Sequence, residues 1–86
     1  MEYEWDENKA ARNLRCHGVS FEAVAHFVWN EATIFEDDRN DYGERRWLAY
    51  GPIGARLHCL VFTVRGERIR VISLRKANSR EVKRYG

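Results

Sequence analysis

Leu57-His58-Cys59-Leu60-Val61-Phe62-Thr63-Val64-Arg65-Gly66-Glu67-Arg68-Ile69-Arg70-Val71-Ile72-Ser73-Leu74-Arg75-Lys76 reads as a β-hairpin. Residues 57–65 and 68–74 are rich in β-formers, and Gly66-Glu67 suits a two-residue turn with glycine in its first central position. If Gly66-Glu67 is the whole turn, Arg65 faces Arg68, Thr63 faces Arg70 and His58 faces Arg75. Side chains alternate between the two faces of a strand. One face then carries Leu60, Phe62, Val64, Ile69 and Val71, the expected core. The other carries Thr63, Arg65, Arg68 and Arg70, with Val61, Cys59, Ile72 and Leu74 further along. Like charges set opposite one another are unfavourable unless something anionic neutralises them. For a single arginine the ordinary reading is a stem covering apolar surface. For the cluster the favoured reading is a surface for a polyanion, RNA first.

The rest of the chain supplies the frame. Tyr3-Glu4-Trp5 reads as a short strand. Asp6 caps a helix running to about Cys16, Glu7 sits in its first turn, and Gly18 provides the left-handed exit. Ser20 caps a second helix with Phe21, Val24, Ala25 and Val28 as its apolar stripe. Residues 33–36 and 45–50 read as strands separated by a polar loop, and Pro52-Ile53-Gly54 as a turn. Asn78 or Ser79 caps a last helix through Tyr85. The expected order is β-α-α-β-β-β-β-α. It describes one α+β domain over 1–86, an antiparallel meander sheet with an N-terminal helical hairpin and a C-terminal helix.

Charge is divided unevenly. Residues 1–43 carry 4 Lys/Arg against 10 Asp/Glu, and residues 44–86 carry 11 against 3, so the overall +2 joins an acidic half to a basic one. The basic half implies an acidic partner. With 44% hydrophobic residues the chain can form a compact but thin core. No apolar run suggests a membrane span, and no leader is evident. Cys16 and Cys59 lack metal-ligand spacing and read as free thiols in a reducing cytoplasm, with a Cys16–Cys59 disulfide the less favoured reading.

Among chemical tools, the chain offers no phosphate-binding glycine loop, metal cluster or convincing triad. It offers arginine, lysine, histidine and tyrosine, an inventory suited to RNA cleavage without a metal or other cofactor. That reaction activates a 2′-hydroxyl, stabilises charge on the phosphate and protonates the leaving 5′-oxygen. His17 reads equally well as a helix-end residue meeting the dipole and as a catalyst. Trp5, Trp29 and Trp47 read as core anchors. Glu81 and Arg84, three apart on the last helix, read as a pair.

Three motifs resemble the BrnT-type toxins. They are Trp5-Asp6-Glu7-Asn8-Lys9 with Asn13 and His17-Gly18-Val19-Ser20-Phe21-Glu22; Gly43-Glu44-Arg45-Arg46-Trp47; and Arg75-Lys76-Ala77 with Glu81 and Tyr85. The resemblance implies a RelE-like fold and the toxin half of a type II toxin–antitoxin pair. It implies RNA cleavage that blocks translation, and a BrnA-type antitoxin whose ribbon-helix-helix part would be the only link to operator DNA. On this chain it implies Arg75 and Tyr85 as catalytic residues, with Arg65 added by topology and Lys76 as the nearest matching lysine; His17 joins them as a candidate proton carrier. Arg68, Arg70, Arg45, Arg46 and Lys9 are the expected RNA contacts. Two other readings stay open: a non-catalytic module whose basic face docks an antitoxin or nucleic acid, and a structural domain that self-associates through its divided charge.

Overall fold

The computed structural model describes all 86 residues. Strand β1 (Glu2–Glu4) leads into helix α1 (Glu7–His17). Two 3₁₀ segments follow (Phe21–His26 and Trp29–Glu31), then β2 (Thr33–Asp37), β3 (Arg46–Ile53), β4 (Arg56–Arg65), β5 (Arg68–Lys76) and α2 (Ser79–Tyr85). The sheet order is β1-β5-β4-β3-β2. Strands β2 to β5 form the expected antiparallel meander. The sheet as a whole is mixed, because β1 lies parallel to β5, with Glu2 opposite Arg68 and Glu4 opposite Arg70.

The caps fall where the sequence places them. Asp6 accepts from the amides of Asn8 and Lys9, and Gly18 takes φ +69°. Asn78 and Glu81 form a reciprocal capping box at the start of α2. The second helix of the expected hairpin is instead 3₁₀. The buried residues explain this. Phe21, Val24 and Phe27 recur at intervals of three, the period at which 3₁₀ side chains eclipse on one face. Strand β3 continues through Pro52, where a turn was expected, and the chain reverses at Gly54, φ +60°. Pro52 lies beyond the last β2–β3 pair, Thr33–Tyr50, so its missing N–H breaks no ladder on that side.

The hairpin register holds near its turn and then slips. Arg65 faces Arg68 and Thr63 faces Arg70 as expected. Val61 then faces Ser73 while Phe62 faces Val71, so Ile72 is an extra residue on β5. Beyond this bulge every β5 side chain changes face. Arg75 lies opposite Cys59, and His58 lies opposite Lys76 rather than Arg75. Leu74, expected outside, is fully buried in the core with Leu60, Phe62, Val71 and Ala49. Val64, expected in the core, is 52% exposed. Val19, Phe21, Val24 and Phe27 close the core from the helical side, with Trp5, Trp29 and Trp47 partly buried against it.

Strand β5 is flanked by β1 only over residues 68–70. Further along, the buried side chain of Asn13 takes the place of a neighbouring strand. Its Nδ2 donates to the carbonyls of Leu74 (2.7 Å) and Val19 (3.0 Å), and its Oδ1 accepts from the Leu74 amide (3.2 Å). Asn13 thereby ties α1 and the loop after it to β5.

Candidate active site

Carboxylates of both halves of the chain neutralise most of the basic sheet face. Glu4 accepts from Arg70 (2.7 Å) and lies 3.7 Å from Arg68, with Glu2 at 4.0 Å. Glu36 takes Arg45 through two hydrogen bonds, and Glu44 lies 3.4 Å from both Arg46 and Arg65. Parallel pairing of β1 with β5 brings Glu2 and Glu4 to the arginines, a placement no local pattern encodes. The like-charge cost that pointed to an external anion is therefore largely met within the fold. Arg45 also lies over Trp47 and Arg46 over Tyr42, at 4.8 and 4.1 Å from the ring centres.

Arg65 and Arg75 occupy one sheet face but opposite ends of it. Arg75 lies opposite Cys59, six residues along β4 from Arg65, which separates them by about 20 Å. A single phosphate cannot be held by both. The expected residues thus divide into three places: Arg65, Arg68 and Arg70 at the hairpin end; Arg75 and Tyr85 at the far end; Lys9 and His17 on a groove beside α1. Lys76 alternates with Arg75 along β5 and is exposed.

Around Arg75 the fold builds a compact polar cluster. Arg75 donates through Nη1 to Glu81 Oε1 (2.8 Å) and through Nη2 to Glu81 Oε2 (2.9 Å). Its Nη1 also reaches the Lys76 carbonyl at 3.3 Å. Three of the five guanidinium N–H groups are thereby used. The two left over, Nε–H and the second Nη2–H, lie side by side on one edge. That edge has the geometry of a phosphate fork, and the Arg75 side chain keeps 32% of its surface exposed.

Glu81 accepts four hydrogen bonds: the two from Arg75, one from the Tyr50 hydroxyl (2.8 Å) and one from the Asn78 amide (2.9 Å). Arg75 above all, then Asn78 and Tyr50, holds its carboxyl down at about 2 against the opposing effect of burial. Arg75 is correspondingly pushed up by the same hydrogen bonds. The expected Glu81–Arg84 pair does not form, because the capping box turns Glu81 toward the sheet while Arg84 lies 5.7 Å from the Tyr85 ring centre.

Tyr85 stacks on Tyr50 at 4.3 Å with the planes 13° apart, and Phe35 meets both rings edge-on. Tyr50 is buried, and burial followed by the Glu81 contact pushes its phenol up. Beneath it, burial pushes the Cys59 thiol up as well. Tyr50 and Cys59 went unmarked as site residues in the sequence. They reach Arg75 only through the β3–β4–β5 register, and the bulge sets that register. Both cysteines are free, and no helix is long and apolar enough to cross a membrane.

Comparisons with known proteins agree with this architecture. The model of the family described as ribonuclease toxin, BrnT, of type II toxin–antitoxin systems matches residues 5–81. The crystal structure of the Brucella abortus ribonuclease toxin BrnT is similar to this fold with a TM-score of 0.73. The two are 28% identical, and the likeness covers 92% of this chain and 99% of that one. A search of curated proteins finds no match. The family match begins at Trp5, which packs on the core, and ends at Glu81, which holds Arg75; it spans both faces of the sheet, and the chain belongs to the BrnT family of type II ribonuclease toxins.

Proposed function

We propose that this chain is a metal-independent endoribonuclease of RelE-like architecture that cleaves RNA, blocks translation in the cytoplasm and is neutralised by a BrnA-type antitoxin. The observation that carries the reading is the unused edge of Arg75, two parallel N–H donors on a partly exposed side chain fixed by Glu81. In the proposed reaction the 2′-oxygen bonds to the adjacent phosphorus and the P–O5′ bond breaks. The 2′-hydroxyl gives up its proton, and the leaving 5′-oxygen receives one. Arg75 meets the non-bridging oxygen whose charge grows in the transition state. Tyr85, whose hydroxyl makes no hydrogen bond within the protein, is the candidate proton carrier, held at this end of the sheet by its stack on Tyr50, whose own hydroxyl is committed to Glu81. Arg65, Arg68, Arg70, Arg45 and Arg46 extend the basic face along the backbone of the RNA. Lys76 and His17 lie outside the Arg75 cluster and are secondary candidates.

The test is cleavage of a single-stranded RNA in excess chelator. The expected result is cleavage leaving 2′,3′-cyclic phosphate ends, with the all-deoxy oligonucleotide intact because it lacks the nucleophile. Cleavage abolished by the chelator, or an Arg75→Ala protein that cuts at the wild-type rate, overturns the proposal.

A further inference from the structure

We infer that the groove between α1 and β5 is a second phosphate subsite, taking the RNA backbone next to the phosphate held at Arg75; this rests on the ribonuclease reading above. The groove encloses about 260 Å³ and is lined by Lys9, Arg12, Asn13, Cys16, His17, Ile72 and Ser73. Of the four cavities in the fold it alone is lined by cations with no carboxylate: the others include Glu7 and Glu22, Glu44, or Glu31. Its cations are also unspent. The arginines expected to contact a polyanion on the sheet face, 45, 46, 65, 68, 70 and 75, each lie in an ion pair, whereas Lys9, Arg12 and His17 lie in none.

The floor of the groove is rigid and its hydroxyl is available. Asn13 is buried and saturated by Leu74 and Val19, which fixes α1 against β5. The Ser73 hydroxyl has only a marginal contact, 3.5 Å to Asn13 Oδ1, and can turn to a phosphate oxygen. The bulge at Ile72 opens the strand here, and β1 has already ended at Glu4, opposite Arg70. Ser73 precedes Arg75 by two residues, about 7 Å along β5. A single strand of RNA that sets one phosphate on Arg75 therefore meets the groove along the same strand of the sheet. Two long cations, a histidine and a hydroxyl lining one groove over a fixed floor suit a phosphodiester, a group that demands charge and donors in place of an apolar pocket.

The experiment measures the affinity of an all-deoxy, non-cleavable oligonucleotide against salt. It compares the wild-type protein, the Lys9→Gln/Arg12→Gln double variant, and Arg15→Gln/Lys83→Gln, which removes the same charge outside the groove. Loss of one phosphate contact is expected to reduce the slope of log affinity against log salt by about 0.7 and to weaken binding about fivefold at 0.1 M salt. The Arg15/Lys83 variant is expected to keep the wild-type slope. Equal losses in both variants, or no loss in the first, overturn the subsite. A titration with inorganic phosphate, followed through the His17 ring and Ser73 amide signals, tests the groove apart from RNA. Shifts that vanish in Lys9→Gln/Arg12→Gln support it, and an absence of shifts overturns it. If the wild-type protein binds no oligonucleotide at all, the ribonuclease reading fails and the phosphate titration alone decides the groove.

Discussion

Glu81 fills the forward fork of Arg75 through two hydrogen bonds of 2.8 and 2.9 Å while also accepting from Tyr50 and the Asn78 amide. A carboxylate so saturated has little capacity left to take a proton, so its part is to aim Arg75 and to hold α2, with Tyr85, onto the sheet. Two residues acting through one contact give non-additive effects. Arg75→Ala is expected to reduce RNA cleavage by about 100-fold, the scale of losing one transition-state donor. Glu81→Gln is expected to reduce it about tenfold alone and to add nothing in the Arg75→Ala background. Single-turnover rates of the four proteins check this. A full, independent loss from Glu81→Gln in the absence of Arg75 would show that Glu81 acts on the substrate directly.

The same pair makes stability depend on acid. Glu81 titrates at about 2 in the folded protein against an ordinary value of 4.5. The unfolded chain therefore binds the proton more readily. The contribution is complete above about 4.5 and is lost as pH falls from there through about 2. Allowing for partial solvent access, it amounts to about 2 kcal/mol. Asp37, held at about 2 chiefly by Arg39, loses its contribution in the same acid range in any variant that retains it. Urea unfolding at pH 7, 4 and 2.5 is expected to show Glu81→Gln less stable than wild type at pH 7, with the gap closing toward pH 2.5. A gap that persists undiminished at pH 2.5 would assign the loss to packing.

Local signals carried much of this architecture. Asp6, Gly18 and Asn78 mark helix ends by chemistry that acts within a few residues, and Gly66 marks the hairpin turn at φ +61°. Long-range relations were less legible. The extra residue at Ile72 has no signature in an unbroken run of β-formers, and it decides which face receives Leu74 and Arg75. Nor does any local pattern show that Glu2 and Glu4 are the counter-charges of Arg68 and Arg70, since β1 joins the far end of the hairpin by parallel pairing. At the candidate site, Arg75, Glu81 and Tyr85 were visible through motif resemblance. Tyr50 depended on register, and the separation of Arg65 from Arg75 on the length of the strands.

Asn13 substitutes for a missing strand beside β5, and its loss leaves the Leu74 amide and carbonyl and the Val19 carbonyl without their partner. Each buried backbone group so orphaned costs about 1–3 kcal/mol. Asn13→Ala is expected to destabilise the fold by at least about 3 kcal/mol on that basis. Asn13→Asp keeps the acceptor for the Leu74 amide and removes both donors. Hydrogen exchange at Leu74 separates the two: the amide is expected to lose protection in the alanine variant and to retain more of it in the aspartate variant.

Gly51 is fixed by contact and not by a turn. A Cβ built there lies 2.7 Å from Phe27 Cζ and 3.0 Å from the Ala32 Cβ. Phe27 belongs to the core and Ala32 packs against it, so neither can yield freely. Gly51→Ala is expected to cost about 1–3 kcal/mol through overpacking. The measurement is the urea midpoint with an unchanged m-value. A midpoint equal to that of wild type would show that the Phe27 ring can shift aside.

Leu74 gives a direct test of the bulge, with Val64 as an exposed reference. With an uninterrupted register Leu74 would face outward; with Ile72 as the extra residue it is fully buried, while Val64, on the turn side of the bulge, keeps its pairing with Ile69 and is 52% exposed. Leu74→Ala removes buried methyl groups amid Leu60, Phe62 and Val71 and is expected to cost about 2–5 kcal/mol. Val64→Thr leaves a β-branched residue on an exposed site and is expected to change stability by less than about 0.5 kcal/mol. Deleting Ile72 tests the bulge from the other side. Without the extra residue, Val71 and Ser73 become neighbours, and Ser73, Leu74 and Arg75 stay opposite Val61, Leu60 and Cys59 in a continuous ladder. Leu74 keeps its place in the core and Arg75 its place beside Glu81, so the deletion is expected to cost less than Leu74→Ala in unfolding free energy. A deletion costlier than Leu74→Ala would show that Ile72 is not the extra residue, because removing a regularly paired residue turns Leu74 out of the core.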